Sequence, residues 1–146
     1  MAFDAAADYP LGTQRPDLVR TPGGLGLDEL TLDALRSGRL EASDLRATAE
    51  TLALQGQVAR AVGRTQLAAN LTRAAELTSV PDDVILEIYT ALRPHRSTAD
   101  ELERWAGRLD RDFRAPLTAA FVREAKAVYA ERRLLSTDEP AGTQAL

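Results

Sequence analysis

Apolar side chains recur every three or four residues between two prolines, Pro81 and Pro94. This spacing predicts a helix that begins at Pro81 and carries one broad apolar stripe, made up of Val84, Ile85, Ile88, Tyr89 and Leu92. Proline is tolerated as a first helical residue, whereas Pro94 ends the segment because it disfavours helical geometry in the residue before it. Thr98 and Glu101 follow in the capping-box pattern, which predicts that another helix begins there.

The same periodicity predicts helices over most of the remaining chain. Residues 32–37 are predicted as a short helix capped by Thr31, and residues 49–62 as a longer helix capped by Thr48. Gly56 inside the longer helix costs roughly 1 kcal/mol relative to alanine. The residues expected on buried faces are Leu54, Val58 and Ala61 in 49–62, Leu67, Leu71 and Ala74 in 67–78, Leu102, Trp105, Leu109 and Phe113 in 99–113, and Leu117, Phe121, Ala125, Val128 and Tyr129 in 116–134. Because no segment alternates as a strand does, the predicted fold class is all-α, a compact helical domain of about five to six helices with an extended N-terminal arm.

The chain is predicted to divide into an arm, a helical domain and a tail. Residues 1–26 contain three prolines and four glycines, which favours an extended arm with turns over a helix. The arm's apolar residues either fold onto the chain's own helices or lie along a partner; they are Tyr9, Leu11, Leu18 and Val19. Residues 27–135 are predicted as the helical domain. Residues 136–146 are polar and proline-containing, and are expected to be a disordered tail.

Composition excludes several classes of function. The 146 residues include no cysteine, which excludes disulfides, thiolate metal sites and cysteine nucleophiles. A net charge of −4 gives no electrostatic footprint for binding nucleic acid. No apolar run is long enough to span a membrane, and the start lacks a basic region followed by an apolar one. We therefore expect a cytoplasmic protein that binds neither nucleic acid nor membrane.

Few residues are candidates for chemistry. His95 is the only histidine, so the chain cannot form a multi-histidine metal cluster, and its position between Pro94 and Arg96 favours a solvated loop residue. Asp82, Asp83 and Glu87 could form an acid–base set, but the helix dipole already explains both first-turn aspartates. The glycines at 23–26 are not followed by the lysine and hydroxyl residue of a phosphate-binding loop.

Two features are compatible with protein binding. Of the 18 basic residues only Lys126 is a lysine, and the planar guanidinium of arginine suits interface ion pairs. A genomic bias in composition would give the same excess of arginine. Trp105 is either an anchor for a partner or a core residue, and its position in the stripe with Leu102 and Leu109 favours the core.

Several runs of sequence resemble one known family. They are residues 73–98, Asp8-Tyr-Pro-Leu11, Thr13-Gln-Arg-Pro16, Leu27-Asp-Glu-Leu-Thr-Leu32 and Ala119-Ala-Phe-Val-Arg-Glu-Ala125. These runs resemble the small (gamma) subunit of adenosylcobalamin-dependent diol dehydratase and glycerol dehydratase. The resemblance extends over residues 8–135 and is densest over residues 67–98.

The resemblance implies a subunit of an enzyme complex. In that family, large, medium and small subunits form a dimer of heterotrimers, which converts a 1,2-diol to an aldehyde and water by a radical mechanism. The resemblance places the catalytic residues and the activating cation in the large subunit, and the adenosylcobalamin between the large and medium subunits. The small subunit then serves assembly and stability. We therefore expect no catalytic, cofactor-binding or metal residue in this chain.

Two alternatives remain open at the level of sequence. A free-standing helical adaptor without a B12 link would also explain the acidic balance and the missing chemistry, and a small independent enzyme would use Asp82 and Glu87. The sequence does not distinguish propanediol from glycerol, because the substrate pocket would belong to another chain. Some relatives carry N-terminal extensions linked to bacterial microcompartments. Only seven residues precede Asp8, so packaging through this chain is not favoured, although partner subunits could supply that signal.

Overall fold

Helices account for all the regular structure of residues 2–137, which are the residues described in the computed structural model. The α-helices are α1 (Leu11–Gln14), α2 (Leu32–Arg36), α3 (Ala49–Ala61), α4 (Thr65–Leu77), α5 (Asp82–Ala91), α6 (Ala99–Phe113) and α7 (Pro116–Glu131). Short 3-10 turns occur at Pro16–Leu18, Leu27–Glu29 and Ala42–Leu45, and the described residues contain one isolated β-bridge but no strand. The predicted all-α class is confirmed.

Packing divides the chain into two units, one ending at Thr78 and the next beginning at Ser79. Each unit contains one helical hairpin, α3 with α4 in the first and α6 with α7 in the second. The boundaries predicted at residues 26 and 135 stay predictions. Most of the predicted tail, residues 138–146, lies outside the described residues.

The hairpin of α3 and α4 begins and turns where the sequence predicts. The Thr48 hydroxyl accepts a hydrogen bond from the Thr51 N–H at 3.2 Å, which caps α3. Gly63 adopts a φ of 77°, a left-handed conformation that costs glycine little, and Arg64 N–H then donates to the Ala59 carbonyl at 2.8 Å. The chain therefore reverses within three residues between the two helices.

Gly56 lies where α3 and α4 approach most closely. A methyl group built at Gly56 would lie 3.3 Å from Thr72 Oγ1 and 3.5 Å from the Ala68 carbonyl oxygen. Ala68 itself is fully buried. The helix-propensity penalty of this glycine is therefore offset by the close packing that its missing side chain allows.

The buried face of this hairpin matches the predicted one only in part. Val58 is buried as expected, but Ala61 and Leu67 are exposed, and Ala59 and Ala68 are buried instead. The close approach at Gly56 brings small residues of both helices to their contact, where a methyl group at Gly56 would also lie 3.7 Å from the Leu71 Cβ.

The N-terminal arm is more ordered than its prolines and glycines suggest. It contains the one-turn helix α1, which was not predicted. This helix forms because Pro10 ends the extended segment and its carbonyl accepts hydrogen bonds from the N–H groups of Thr13 and Gln14 at 3.0 and 2.9 Å. Leu11 is buried within the first unit, as expected if the arm folds onto its own chain. Tyr9 remains exposed.

A buried carboxylate fastens the end of the arm. Asp44 accepts hydrogen bonds from the Glu41 N–H at 3.0 Å, the Thr21 hydroxyl at 2.7 Å and the Gly23 N–H at 3.0 Å. These donors favour the ionised form and hold the pKa of Asp44 below its usual range. One side chain therefore joins the 20–26 loop to the 3-10 turn Ala42–Leu45.

The second unit starts with α5, whose apolar stripe was predicted incorrectly at one residue. Pro81 is the residue before the helix rather than its first residue, and its carbonyl accepts from the Ile85 N–H at 3.0 Å. Val84 and Ile88 are buried as predicted, but Tyr89 is 75% exposed. The five apolar residues cover more of the surface of this short helix than the single face that packs against the rest of the unit.

The hairpin of α6 and α7 forms the core of the second unit. Thr98 and Glu101 form the predicted capping box, with the Thr98 N–H donating to Glu101 Oε2 at 2.8 Å and the Glu101 N–H donating to Thr98 Oγ1 at 3.2 Å. Arg114, with a φ of 53°, reverses the chain. The residues that are buried to 1% exposure or less are Leu102, Ala106, Leu109, Ala115, Ala119 and Val122.

The predicted buried face of α7 was wrong at two of its five positions, whereas Ala125, Val128 and Tyr129 are half-buried. Leu117 and Phe121 are exposed, and Thr118, Ala119 and Val122 are buried instead. The small side chains at positions 115 and 119 let α7 lie close to α6, so packing again selects the face with small residues rather than the face with the largest ones.

The end of α7 is hydrogen-bonded to the turn between α5 and α6. The Tyr129 hydroxyl donates to the Leu92 carbonyl at 2.6 Å, and the His95 N–H donates to the Leu134 carbonyl at 2.7 Å. The Ser136 N–H donates to the Ser97 carbonyl at 2.9 Å. We call these three bonds the 92–97 clasp.

Across residues 2–137, none of the helices combines the length and the apolar character needed to cross a bilayer.

We expect Gly56→Leu to destabilise the protein by roughly 1–3 kcal/mol, because the added side chain must displace α4. The control is Gln57→Leu, which adds the same side chain at the next, exposed position and should change stability by less than about 0.5 kcal/mol. Urea denaturation followed by circular dichroism measures both. Equal stability of the two variants would contradict the close approach at Gly56.

We expect Thr98→Ala to lower the free energy of unfolding by about 1 kcal/mol, because the N–H groups at the start of α6 lose their acceptor. Thr90→Ala is the control, since the Thr90 hydroxyl only donates to the Leu86 carbonyl within α5. Thermal denaturation of the two variants distinguishes them, and an unchanged midpoint for Thr98→Ala would rule out the cap as a source of stability.

Candidate interaction surface

The only histidine lies on the turn between α5 and α6. His95 is exposed and has a φ of 61°, and its backbone N–H takes part in the 92–97 clasp. The position agrees with the prediction of a solvated loop residue.

The three candidate acid–base carboxylates do not converge on one site. Asp82 and Asp83 lie in the first turn of α5, where the helix dipole favours negative charge, and Glu87 lies more than one turn further along. All three are exposed. Glu87 borders a groove whose lining includes neither aspartate.

Trp105 separates two adjoining grooves of the second unit. One groove has a volume of about 440 Å³ and the other about 320 Å³, and both are lined by Ser97 and Trp105. Trp105 is half-buried, whereas its stripe neighbours Leu102 and Leu109 are fully buried. The core interpretation therefore holds for the two leucines, but Trp105 also forms part of the surface. We call the two depressions together the Trp105 groove.

An arginine packs on the tryptophan ring. The Arg108 guanidinium carbon lies 5.2 Å from the centre of the Trp105 ring and 5.7 Å from that of Phe113, within cation–π range. Arg108 Nε also lies 3.8 Å from Asp112 Oδ2. These contacts hold Arg108 at the edge of the groove.

Two large apolar residues of α5 are highly exposed, and one of them lines this groove. Leu86, which also lines the groove, is 67% exposed, and Tyr89 is 75% exposed one turn away. Leu86 does not fall on the face of α5 that carries the buried Val84 and Ile88. This spacing was the sequence signal from which the exposure of Leu86 could have been predicted. The exposure of Tyr89 had no such signal, because its position matched the apolar stripe.

Charged groups surround the Trp105 groove. Arg96, Arg104 and Arg108 line it together with Glu87 and Glu101. Glu101 is already engaged, since its Oε2 belongs to the capping box and its Oε1 lies 4.0 Å from Arg104. Arg96 forms no ion pair within residues 2–137.

The first unit carries a separate apolar groove. It has a volume of about 620 Å³ and is lined by arm residues and by one side of the α3–α4 hairpin. The lining residues include Tyr9, Leu11, Val58, Val62 and Leu67. Of the described residues that line it, Arg64 alone is charged.

A charged cluster connects α6 and α7 on the surface. Glu103 accepts hydrogen bonds from Lys126 Nζ and from Arg123 Nε, the latter at 2.8 Å. The bonds from Lys126 and then Arg123 favour the ionised carboxylate and hold the pKa of Glu103 below its usual range. The cluster therefore adds an electrostatic contact to the apolar packing of the hairpin.

None of the described residues forms a group of three or more histidine, aspartate or glutamate side chains that could hold a metal ion. The prediction that the chain supplies no catalytic, cofactor-binding or metal residue stays a prediction.

Comparison with known proteins decides the family. Residues 5–136 match the protein family described as "Dehydratase small subunit". The propanediol dehydratase small subunit of Citrobacter freundii is 52% identical over 132 residues, which cover 90% of this chain and 77% of the relative. The propanediol dehydratase small subunit of Salmonella typhimurium (strain LT2) is 50% identical over 133 residues, covering 91% of this chain and 77% of the relative.

The chain belongs to the dehydratase small-subunit family. The predicted family resemblance is thereby confirmed. A small subunit implies partner subunits, so this dehydratase small subunit is one component of an enzyme complex. Its exposed apolar and arginine-lined surfaces are therefore candidates for contacts within that complex.

We expect the Glu103 cluster to give the small subunit a pH-dependent stability. Because folding lowers the pKa of Glu103, the ionised carboxylate stabilises the folded protein fully above its ordinary pKa of 4.5. This stabilisation is lost as the pH falls through the lowered pKa of the folded state. Glu103→Gln should therefore have a lower melting temperature than the wild type at pH 7, and the difference should shrink below pH 4.5.

Asp110→Asn on the exposed side of α6 is the control, and its melting temperature should stay close to that of the wild type throughout. A constant difference between wild type and Glu103→Gln across this pH range would show that the carboxylate's charge is not what stabilises the hairpin.

Proposed function

We propose that this chain is the non-catalytic small subunit of an adenosylcobalamin-dependent propanediol dehydratase. The complex converts a 1,2-diol to an aldehyde and water by a radical mechanism, and this subunit serves its assembly and stability. The observation that carries the proposal is the match over residues 5–136, together with about half-identical relatives named as propanediol dehydratase small subunits. This match also favours a subunit over a free-standing adaptor.

The described side chains do not fit a role in catalysis. The carboxylates proposed as an acid–base set are exposed and spread along α5. A general acid or base acts when it is held within hydrogen-bond reach of the reacting group. The exposed positions of Asp82, Asp83 and Glu87 along α5 support placing the chemistry on another subunit.

The described residues also do not fit a cobalamin site. The single histidine is exposed on a turn. The grooves of about 320, 440 and 620 Å³ are in the range of drug-sized ligands, and cobalamin is much larger than such a ligand. We therefore assign adenosylcobalamin to the large and medium partner subunits.

We infer that the subunit stabilises its partner by binding to the partner's folded form. A protein that binds only the folded form of its partner stabilises that form by mass action, by about 2.7 kcal/mol when its concentration is a hundred times Kd. The exposed apolar residues of both units would be removed from water in such a contact, which is favourable. We expect the large subunit to be the main partner and the complex to be a dimer of heterotrimers in the cytoplasm.

We propose propanediol rather than glycerol as the substrate of the complex, because both relatives are named as propanediol dehydratase small subunits. The substrate pocket belongs to another subunit in this proposal, so the small subunit influences substrate choice only through the stability of the complex.

The test is co-expression of the large and medium subunits with and without this chain. We expect its omission to lower both the soluble yield of the large subunit and the activity with added adenosylcobalamin, because the folded partner loses its ligand. Activity is measured with propanediol and with glycerol. Full activity and unchanged thermal stability without the chain would contradict the proposed role.

A matched variant separates assembly from catalysis. Asp82→Asn in the co-expressed complex should leave turnover within about twofold of the wild type, whereas removal of a general acid or base lowers rates by roughly 10²–10⁴. A loss of that size with normal assembly would support the enzyme alternative.

A further inference from the structure

The Trp105 groove has a rigid wall. Arg96 and Ser97 line it from the turn between α5 and α6, and the 92–97 clasp holds this turn against the end of α7. Trp105 and Leu86 line it from helices. A binding site with fixed walls loses little conformational entropy when a partner docks.

The composition of the groove is that of a protein-binding site. Tryptophan, tyrosine and arginine are the residue types enriched at binding hot spots. The only tryptophan of the chain lines this groove together with Arg96, Arg104 and Arg108. The exposed large apolar residues of the first unit are leucines and one valine, with Tyr9 the single aromatic.

Charge indicates what kind of segment would bind. The chain carries a net charge of −4, yet three guanidinium groups and two carboxylates line this groove. Glu101 is committed to the cap of α6 and to Arg104, while Arg96 has no ion-pair partner within residues 2–137. An incoming carboxylate would pair with Arg96 in a geometry that arginine favours.

We propose that the Trp105 groove is the docking site for the large subunit of the dehydratase, which inserts an apolar side chain beside Trp105 and Leu86 and places a carboxylate on Arg96. The inference rests on the proposed function, because it takes its partner from the complex. The partner segment is acidic and apolar in character.

The test uses the assembled complex, purified through a tag on the large subunit. Leu86→Ser with Arg96→Glu changes two exposed residues of the groove. Leu45→Ser with Arg39→Glu is the matched control in the first unit, since Leu45 is 70% exposed, close to the 67% of Leu86, and Arg39 is also an exposed turn residue. The amount of small subunit retained per large subunit is measured after washes at salt concentrations from roughly one third to roughly three times the physiological value of about 0.15 M.

We expect the groove variant to be retained at about one tenth of the wild-type level or less, a loss typical of a hot spot. The control variant should be retained like the wild type. Arg96→Gln alone, which removes the charge without creating a repulsion, should also remove most of the salt dependence of retention, which a merely structural effect would not do.

Retention of the groove variant equal to the wild type would overturn the proposal and leave the proposed function intact. Equal losses in the groove and control variants would overturn it as well. Failure of the wild-type chain to co-purify with the large subunit would instead count against the proposed function itself.

Discussion

The packing of α6 against α7 through small side chains determines the rest of the second unit. Ala115 and Ala119 bring the two helices close together, and this places the end of α7 beside the turn that follows α5. The 92–97 clasp can form only because of that placement, and it in turn fixes the position of Arg96 and Ser97. The surface around Trp105 is therefore a consequence of core packing, even though none of its distinctive residues is fully buried.

Local signals predicted the helices well and their faces less well. Thr31, Thr48 and Thr98 cap helices as expected because capping depends on a few adjacent residues. The faces of α4 and α7 were predicted incorrectly at Leu67 and Phe121 because hydrophobic periodicity assumes that the largest apolar residues are buried. Close approach at Gly56 and Ala119 reverses that choice, and such an approach depends on the partner helix, which periodicity does not include.

The candidate surface could be predicted only in part. The excess of arginine was compatible with an interaction role and equally with a genomic bias, the stripe position of Trp105 favoured the core, and family resemblance pointed to a subunit. The convergence of Leu86, Arg96 and Trp105 could not be predicted, because these residues are brought together by the turn between α5 and α6 rather than by spacing along one helix. The sequence also does not distinguish the exposed apolar residues of a small subunit from its core residues, because both follow the same spacing pattern.

The salt-bridged Lys126 makes the chain easy to map chemically. It is the only lysine of the sequence, and its ammonium group is held by Glu103 on the outer side of the α6–α7 hairpin. An amine-reactive cross-linker therefore has one side-chain target in this polypeptide. Any lysine-to-lysine cross-link between the small subunit and a neighbour would report the distance from a single known point on this hairpin.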